Sequence, residues 1–386
     1  MDRRLLVLAF GMFAIGTDGF VMAGVLPEIA QFFHVGIGAA GQMTTAYALS
    51  FALLAPTVAA IAGNVPRKTL LLLGMTIFVA ANLATAAAPN FTFALAMRVV
   101  TGLGAAMFAP TASGAGTMLV PANRRGFALS IIVGGLTTAT ALGSPLGSII
   151  GGLGDWRWTM IFVSALGAIA FAGVMLLLSN IPMPPAVSLS KRLAPLGDSR
   201  IFLTLLTTLL SMAGYFTVYT YFSVVFDRAI GGDPLVFGAL LVAWGVAGTI
   251  GNLTAGRFVD RIGARKVLLT GVTVAAVDMM FFSWTGANLW VATVAIVIWG
   301  MFAWSAQVPQ QSRLVSLAPT LAPVVLGLNN AATYLGVTSA GIIGAVGIQT
   351  IGAHNLGIVG AVLALLALAA CEFATWRITS RALAAA

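Results

Sequence analysis

Long apolar runs broken by short polar turns, many of them basic, dominate the chain. A helix crossing the hydrocarbon core of a bilayer needs about 20 largely apolar residues. Twelve stretches meet that need, near 5–26, 41–62, 69–88, 92–119, 127–150 and 158–179, then 201–226, 236–256, 266–285, 289–309, 323–348 and 355–376. Most connections are shorter than a dozen residues. The exception, 180–200, is rich in Pro and Ser and carries several charges. The pattern predicts an all-α membrane protein of twelve transmembrane helices, with a six-helix bundle in 1–180, a cytoplasmic linker at 181–200 and a second six-helix bundle in 201–386.

Composition agrees. Of 386 residues, 60% are hydrophobic and 8% charged, and the mean hydropathy is +1.03. A soluble domain carries about 25% charged residues, so most of this surface faces something other than water. That excludes a cytosolic enzyme, a disulfide scaffold and a disordered chain. The one cysteine, Cys371, leaves no internal disulfide, and two histidines are too few for a His/Cys metal site. No phosphate-binding GxxxxGK[ST] loop occurs, so the chain hydrolyses no ATP. The expectation is a protein that is not an enzyme and uses no cofactor or metal.

The net charge of +9 points to orientation rather than to nucleic acid, because the basic residues lie in pairs between the apolar runs. With the N-terminus in the cytoplasm, Arg3, Arg4, Arg67, Lys68, Arg124, Arg125, Lys191, Arg192 and Arg200 fall on that side. So do Arg257, Arg261, Arg265, Lys266, Arg313, Arg377 and Arg381. Only Arg157 and Arg228 fall outside, and Arg98 lies within a span. Sixteen against two fixes an even number of spans with both termini cytoplasmic. The first apolar run is too long for a signal peptide and no small-residue cleavage site follows it cleanly, so it reads as a retained span.

The turn after the second run holds Gly63, Arg67 and Lys68; the turn after the eighth holds Gly256, Asp260, Arg261, Gly263, Arg265 and Lys266. Short basic turns at corresponding places in two halves are the mark of an internal repeat, the usual build of a transporter with its substrate site near the bilayer midplane. The second turn resembles the loop motif of the major facilitator superfamily. Arg98, Gly102 and Gly104 resemble the RxxxGxG element of its drug:proton antiporter branch. Gly143, Pro145, Gly147, Gly151 and Gly152 resemble that branch's motif in the fifth span, and Asp155, Trp156, Arg157 and Trp158 its turn before the sixth. Gly16, Asp18, Phe20, Gly24, Pro27, Glu28 and Ala30 look like the opening of bacterial sugar-efflux and chloramphenicol-exporter proteins. The resemblance covers essentially the whole chain and implies the major facilitator fold, with two pseudo-symmetric bundles, in a bacterial inner membrane. It also implies that Gly143, Pro145, Gly147, Gly256, Asp260, Arg261, Gly263 and Arg265 serve gating or structure. The first-half loop is about five residues shorter than its counterpart and lacks the Asp-Arg-x-Gly core. A cytoplasmic lock should therefore rest on Asp260, a turn residue placed to accept hydrogen bonds near Gly126 and Phe127. Related exporters often carry Glu where this chain has Gly19, which leaves Asp18 as the acid.

Ionisable groups inside a span are costly and mark function by default. Asp18, Arg98 and Asp278 qualify. Asp18, midway along the first span, is expected to exchange protons with the two aqueous sides in turn; a permanent ion pair closed to water would defeat that scheme. Arg98 stays charged and presents five donors, to pair with a carboxylate, to bond backbone carbonyls, to couple to the proton by biasing its release from Asp18 or, by snorkelling, to reach the membrane surface. Asp278 suits packing as well as coupling. Gly143, Gly147 and Gly151 share one helix face and permit close backbone approach, and Pro145 permits a bend.

Substrate contacts are expected from aromatic and uncharged polar groups: Tyr215 and Tyr219, which share a face, with Trp244, Trp304, Gln307, Asn329, Asn330 and Tyr334. Buried amides need partners and so avoid lipid. Tyr221, Trp156 and Trp158 suit the interface. Few fixed charges among these groups favour a neutral or weakly cationic amphipathic solute. The leading reading is a monomeric exporter of a small solute such as a drug, sugar or nucleoside in exchange for protons. The others are a sugar or nucleoside facilitator or importer, and a membrane sensor that transports nothing.

Overall fold

The computed structural model describes residues 2–121, 124–179, 181 and 188–385. Each apolar run forms helix, and the described residues contain no strand. The first span, Arg3–Val21, passes through a 3-10 turn at Met22–Gly24 into a short helix, Leu26–Phe32, with Pro27 in its first turn. Spans two to four are Ile37–Ile61, Arg67–Ala86 and Phe91–Met118. The fifth is Arg125–Thr138 and Ser144–Gly152 joined by a π-helical turn, Ala139–Gly143, and the sixth is Trp156–Leu177. Spans seven to nine are Ser199–Tyr219, Pro234–Ile262 and Ala264–Met280. The tenth is Leu289–Ser305 continued by Gln307–Leu317, and the last two are Ala322–Ile351 and Leu356–Ala385.

Eleven of these are long and apolar enough to cross a membrane. The ninth has 17 residues and breaks at Phe281 before a further turn, Phe282–Thr285, so the expected run 266–285 is two pieces. The eighth helix outruns its expected end at 256 because nothing breaks it until Gly263, whose φ of 88° only glycine adopts freely. Asp260 and Arg261 therefore lie exposed on the last helical turn, not in a loop.

Polar side chains begin several spans by accepting from the orphan N–H groups of a first helical turn. Asn90 accepts from Phe93 N–H at 2.9 Å, Asp155 from Arg157 at 2.9 Å and Asn288 from Trp290 at 3.0 Å. The turn before the sixth span does more. Arg157 pairs with Asp155 at 3.1 Å, donates to the Ala86 carbonyl at 2.9 Å and lies 4.0 Å from the Phe32 ring centre.

Two compact units emerge, Met1–Ser188 with Gly232–Gly245 and Leu189–Gly231 with Val246–Ala386. The expected bundles, 1–180 and 201–386, thus differ from these units in the start of the eighth span. There Gly245 lies against the Thr140 and Ala141 backbone and Gly238 against Ile149. Residues 182–187 of the expected linker lie outside the described residues; the described remainder includes a short helix, Leu189–Leu193, and a 3-10 turn, Ala194–Gly197.

Within each unit, glycines let backbones touch, the usual device where burial of apolar surface gives helices no reason to associate. Gly143, Gly147 and Gly151 meet Thr17, Val21 and Val25, two stripes in the same four-residue register along the fifth span and along the first span with the turn that follows it. Gly74 and Gly104 approach one another's carbonyls where spans three and four meet, and Gly214 and Gly360 do the same in the second unit. Of the three residues assigned to the interface, Trp158 is exposed, but Trp156 and Tyr221 are buried, Tyr221 donating to the Gly341 carbonyl at 2.7 Å.

A methyl added at Gly104 would lie 2.7 Å from the Gly74 carbonyl oxygen and the Phe78 nitrogen, both backbone, whereas one at Gly114 would meet nothing within 4 Å. Gly104→Ala is expected to lower stability by about 1–3 kcal/mol. Gly114→Ala should be neutral or stabilise by up to about 1 kcal/mol. Thermal unfolding of the purified protein in detergent compares them.

Candidate functional site

In the first unit, one charged pair organises a polar cluster inside the membrane. Asp18, three residues before the end of the first helix, meets Arg98, eight residues into the fourth. Arg98 Nη1 donates to Asp18 Oδ1 at 2.8 Å, and both side chains are fully buried. Its Nε donates to the Met43 carbonyl at 3.4 Å and Nη1 also to Asn82 Oδ1 at 3.5 Å. Asn82 is held in turn by donating to the Phe78 carbonyl at 3.2 Å. The Tyr47 ring lies 4.8 Å from the guanidinium carbon. One arginine thus ties together the first four spans.

Burying two charges is repaid only with good geometry and satisfied remaining atoms. Here Asp18 Oδ2 and Arg98 Nη2 are buried with no hydrogen-bond partner among the described residues. Asp18 is paired and closed to water in this conformation. A proton on Asp18 would remove the negative charge that Arg98 Nη1 is paired with, so proton binding there weakens the ion pair. Gly16 and Gly19 leave room for neighbours, the first for Ala139 and Leu136, the second for Tyr47.

Beyond the first span, Glu28 on the short helix has a buried Oε2 without a partner among the described residues. Burial pushes its carboxyl above the ordinary 4.5, against a smaller opposing effect of its own backbone N–H. Asp278, in the last turn of the ninth helix, is half-buried.

The residues expected to touch substrate are divided. Trp244 falls in the first unit, 6.4 Å from Phe20 between ring centres; the other seven fall in the second. Tyr215 and Tyr219 are buried, and Tyr219 joins an aromatic cluster with Phe216 at 5.4 Å and Trp299 at 6.5 Å. Trp304 is half-buried against Gly248. Gln307 donates to Met212 Sδ at 3.3 Å, and Asn329 accepts from Thr208 at 2.8 Å. Tyr334 is half-buried. Asn330 is exposed, against the expectation for an amide in this run, since adjacent helical positions point about 100° apart.

Of the loop motif, Gly263 turns the chain and Arg265 donates to Glu372 Oε1 of the last span at 3.1 Å. Sequence reasoning missed Asn82 and Tyr47 in the first cluster, although Asn82 is an amide inside an apolar run, the signal that found Asn329. It also put Arg313 in a cytoplasmic turn. Arg313 is 8% exposed, on the helix Gln307–Leu317, and donates to Cys371 Sγ at 2.8 Å and Thr375 Oγ1 at 3.2 Å.

The family model for the Major Facilitator Superfamily matches residues 8–228 and 204–383. The chain is 30% identical over 372 residues to the inner membrane transport protein YdhP of Escherichia coli (strain K12), covering 95% of each. It is 27% identical over 372 residues to a probable sugar efflux transporter of Helicobacter acinonychis (strain Sheeba), covering 96% of this chain and 95% of that one. The crystal structure of a D-xylose–proton symporter superposes with a TM-score of 0.77 at 16% identity, covering 96% of both chains.

Two outcomes are expected. Asp18→Asn and Arg98→Met each leave one buried polar partner stranded, which costs about 3–5 kcal/mol when a buried pair is broken. The double variant should recover part of that loss, read from unfolding midpoints in a double-mutant cycle. Glu28 has a raised carboxyl, so its favourable contribution is full below about pH 4.5 and is lost as pH rises through the folded value. Thermal midpoints of the wild type should therefore fall relative to Glu28→Gln between pH 4 and pH 8; parallel curves would contradict the burial argument.

Proposed function

The chain belongs to the major facilitator superfamily, and from that premise we propose that it exports a small amphipathic organic solute in exchange for protons. The observation that carries this reading is the fully buried pair of Asp18 and Arg98 at 2.8 Å. Membranes tolerate such groups where they handle ions or substrate. In the proposed cycle the observed pair is the closed step. Opening toward the outside hydrates Asp18, a proton displaces Arg98, and the pair re-forms when the proton leaves toward the cytoplasm. Solute moves outward on the complementary half of the cycle.

Names of relatives support a solute in the class of sugars, since several are probable sugar efflux transporters. Tyr215, Tyr219, Trp244, Trp304, Gln307, Asn329, Asn330 and Tyr334 are the proposed contacts. All are uncharged, which suits a neutral or weakly cationic solute. Gating is assigned to the glycine-rich fifth span with Gly143, Pro145 and Gly147, and to Gly256, Asp260, Arg261, Gly263 and Arg265. The proposed setting is a bacterial inner membrane with both termini cytoplasmic, from the basic turns and from the name of the Escherichia coli relative.

The test uses purified protein in vesicles containing a pH-sensitive dye. D-xylose, methyl glucoside and chloramphenicol are imposed in turn as gradients. At least one should drive protons in the direction opposite to its own movement, and Asp18→Asn should abolish that flux while the protein still unfolds cooperatively. Proton movement along with the solute, solute movement without protons, or an unchanged flux in Asp18→Asn would each overturn the exchange scheme.

A further inference from the structure

Four spans of the second unit are joined by a hydrogen-bonded chain whose direction is fixed at one end. Arg313 Nη1 donates to Gln310 Oε1 at 3.4 Å. Gln310 Nε2 donates to the Thr204 carbonyl at 2.8 Å and to Thr208 Oγ1 at 3.0 Å. Thr208 Oγ1 donates to Asn329 Oδ1 at 2.8 Å. Arg313 is anchored from the last span by Cys371 Sγ at 2.8 Å and Thr375 Oγ1 at 3.2 Å. Gln310, Thr208 and Asn329 are each no more than 3% exposed.

An amide can be placed either way round, yet here each end admits one answer. A guanidinium only donates, so Gln310 must turn its oxygen to Arg313. A backbone carbonyl only accepts, so Gln310 must turn its nitrogen to Thr204. That nitrogen also fills a lone pair of Thr208. A helical threonine commonly returns its proton to the carbonyl four residues back, which for Thr208 is that of Thr204, whose two lone pairs already serve the helical Thr208 N–H and Gln310 Nε2. The Thr208 proton goes to Asn329, whose oxygen is thereby occupied and whose two Nδ2 hydrogens face away from the chain.

We propose that Arg313 is a positioning residue: acting through Gln310 and Thr208, it sets the Asn329 amide so that Nδ2 donates to an acceptor oxygen on the solute. The solute class is therefore one carrying a hydroxyl, ether or carbonyl oxygen. The amide setting stands on the hydrogen bonds alone; the solute contact rests on the transport reading above.

Thr208→Val removes the hydroxyl at nearly constant volume, and Thr208→Ser keeps it. Gln310→Glu still accepts from Arg313 but sets an acceptor oxygen beside Thr208 in place of the Nε2 donor, so the Thr208 proton turns to that carboxylate and Asn329 loses its hydrogen bond. The full-length protein in micelles, labelled with nitrogen-15 at asparagine, reads the Asn329 side-chain amide pair, assigned by its loss in Asn329→Asp. That pair should move in Thr208→Val and Gln310→Glu and hold its place in Thr208→Ser. Unmoved resonances in the first two variants overturn the proposal. In vesicles, Thr208→Val should raise the apparent KM for whichever of D-xylose, methyl glucoside or chloramphenicol is carried by about five- to tenfold, with kcat and the pH profile unchanged and Thr208→Ser restoring the wild-type value. An unchanged KM beside shifted resonances overturns the solute contact. If the wild type carries none of the three, the exporter reading fails and the relay is decided by the resonances alone.

Discussion

Water is absent from the hydrocarbon core, and every polar atom carried into it must find its partner inside the protein. This one constraint explains most of what is seen. It makes the apolar runs helical, since a helix satisfies its own backbone. It draws hydroxyls such as Thr101 and Thr217 back onto carbonyls one turn earlier. It also gathers the few remaining polar side chains into clusters, because a polar group that cannot reach the surface must reach another polar group.

Two such clusters divide the work differently. In the first unit, Arg98 is matched by a carboxylate, and a proton on that carboxylate weakens the pair. In the second, the hydrogen-bond partners of Arg313 are Gln310, Cys371 and Thr375, none a carboxylate. No carboxylate accepts a hydrogen bond from that arginine among the described residues, so its neighbours are held by uncharged acceptors. In the proposed cycle the first cluster changes state and the second keeps it.

Much of this architecture was legible from hydropathy alone, because span length is set by membrane thickness. Where the reading slipped, a local interaction had overruled the average. The eighth helix ran past its apolar segment because Arg257 and Asp260 are as compatible with a helix as with a turn, and only Gly263 could stop it. The ninth broke at Phe281 without a Gly or Pro to announce it. At the candidate site, Asp18 and Arg98 could each be singled out as charges within apolar runs. Their contact, 80 residues apart in the chain, is a property of packing that no spacing encodes. Asn330 illustrates the converse, since composition made it equivalent to Asn329 and helical geometry separated them.

The π-helical turn at Ala139–Gly143 has a bearing on how the fifth span came to carry its glycines. Winding of this kind takes up one residue more than an α-helical turn, which swings everything beyond it by about 100° around the axis. Pro145 has no N–H to offer the carbonyl four positions earlier, so the ladder is already interrupted where the extra residue is stored. Gly143, at the end of that turn, and Gly147 and Gly151 beyond it face Thr17, Val21 and Val25. The span's two halves have, in effect, independent azimuths. A lineage could re-aim the outer half, and whatever it touches, by gaining or losing a single codon while the inner half and its neighbours stayed as they were.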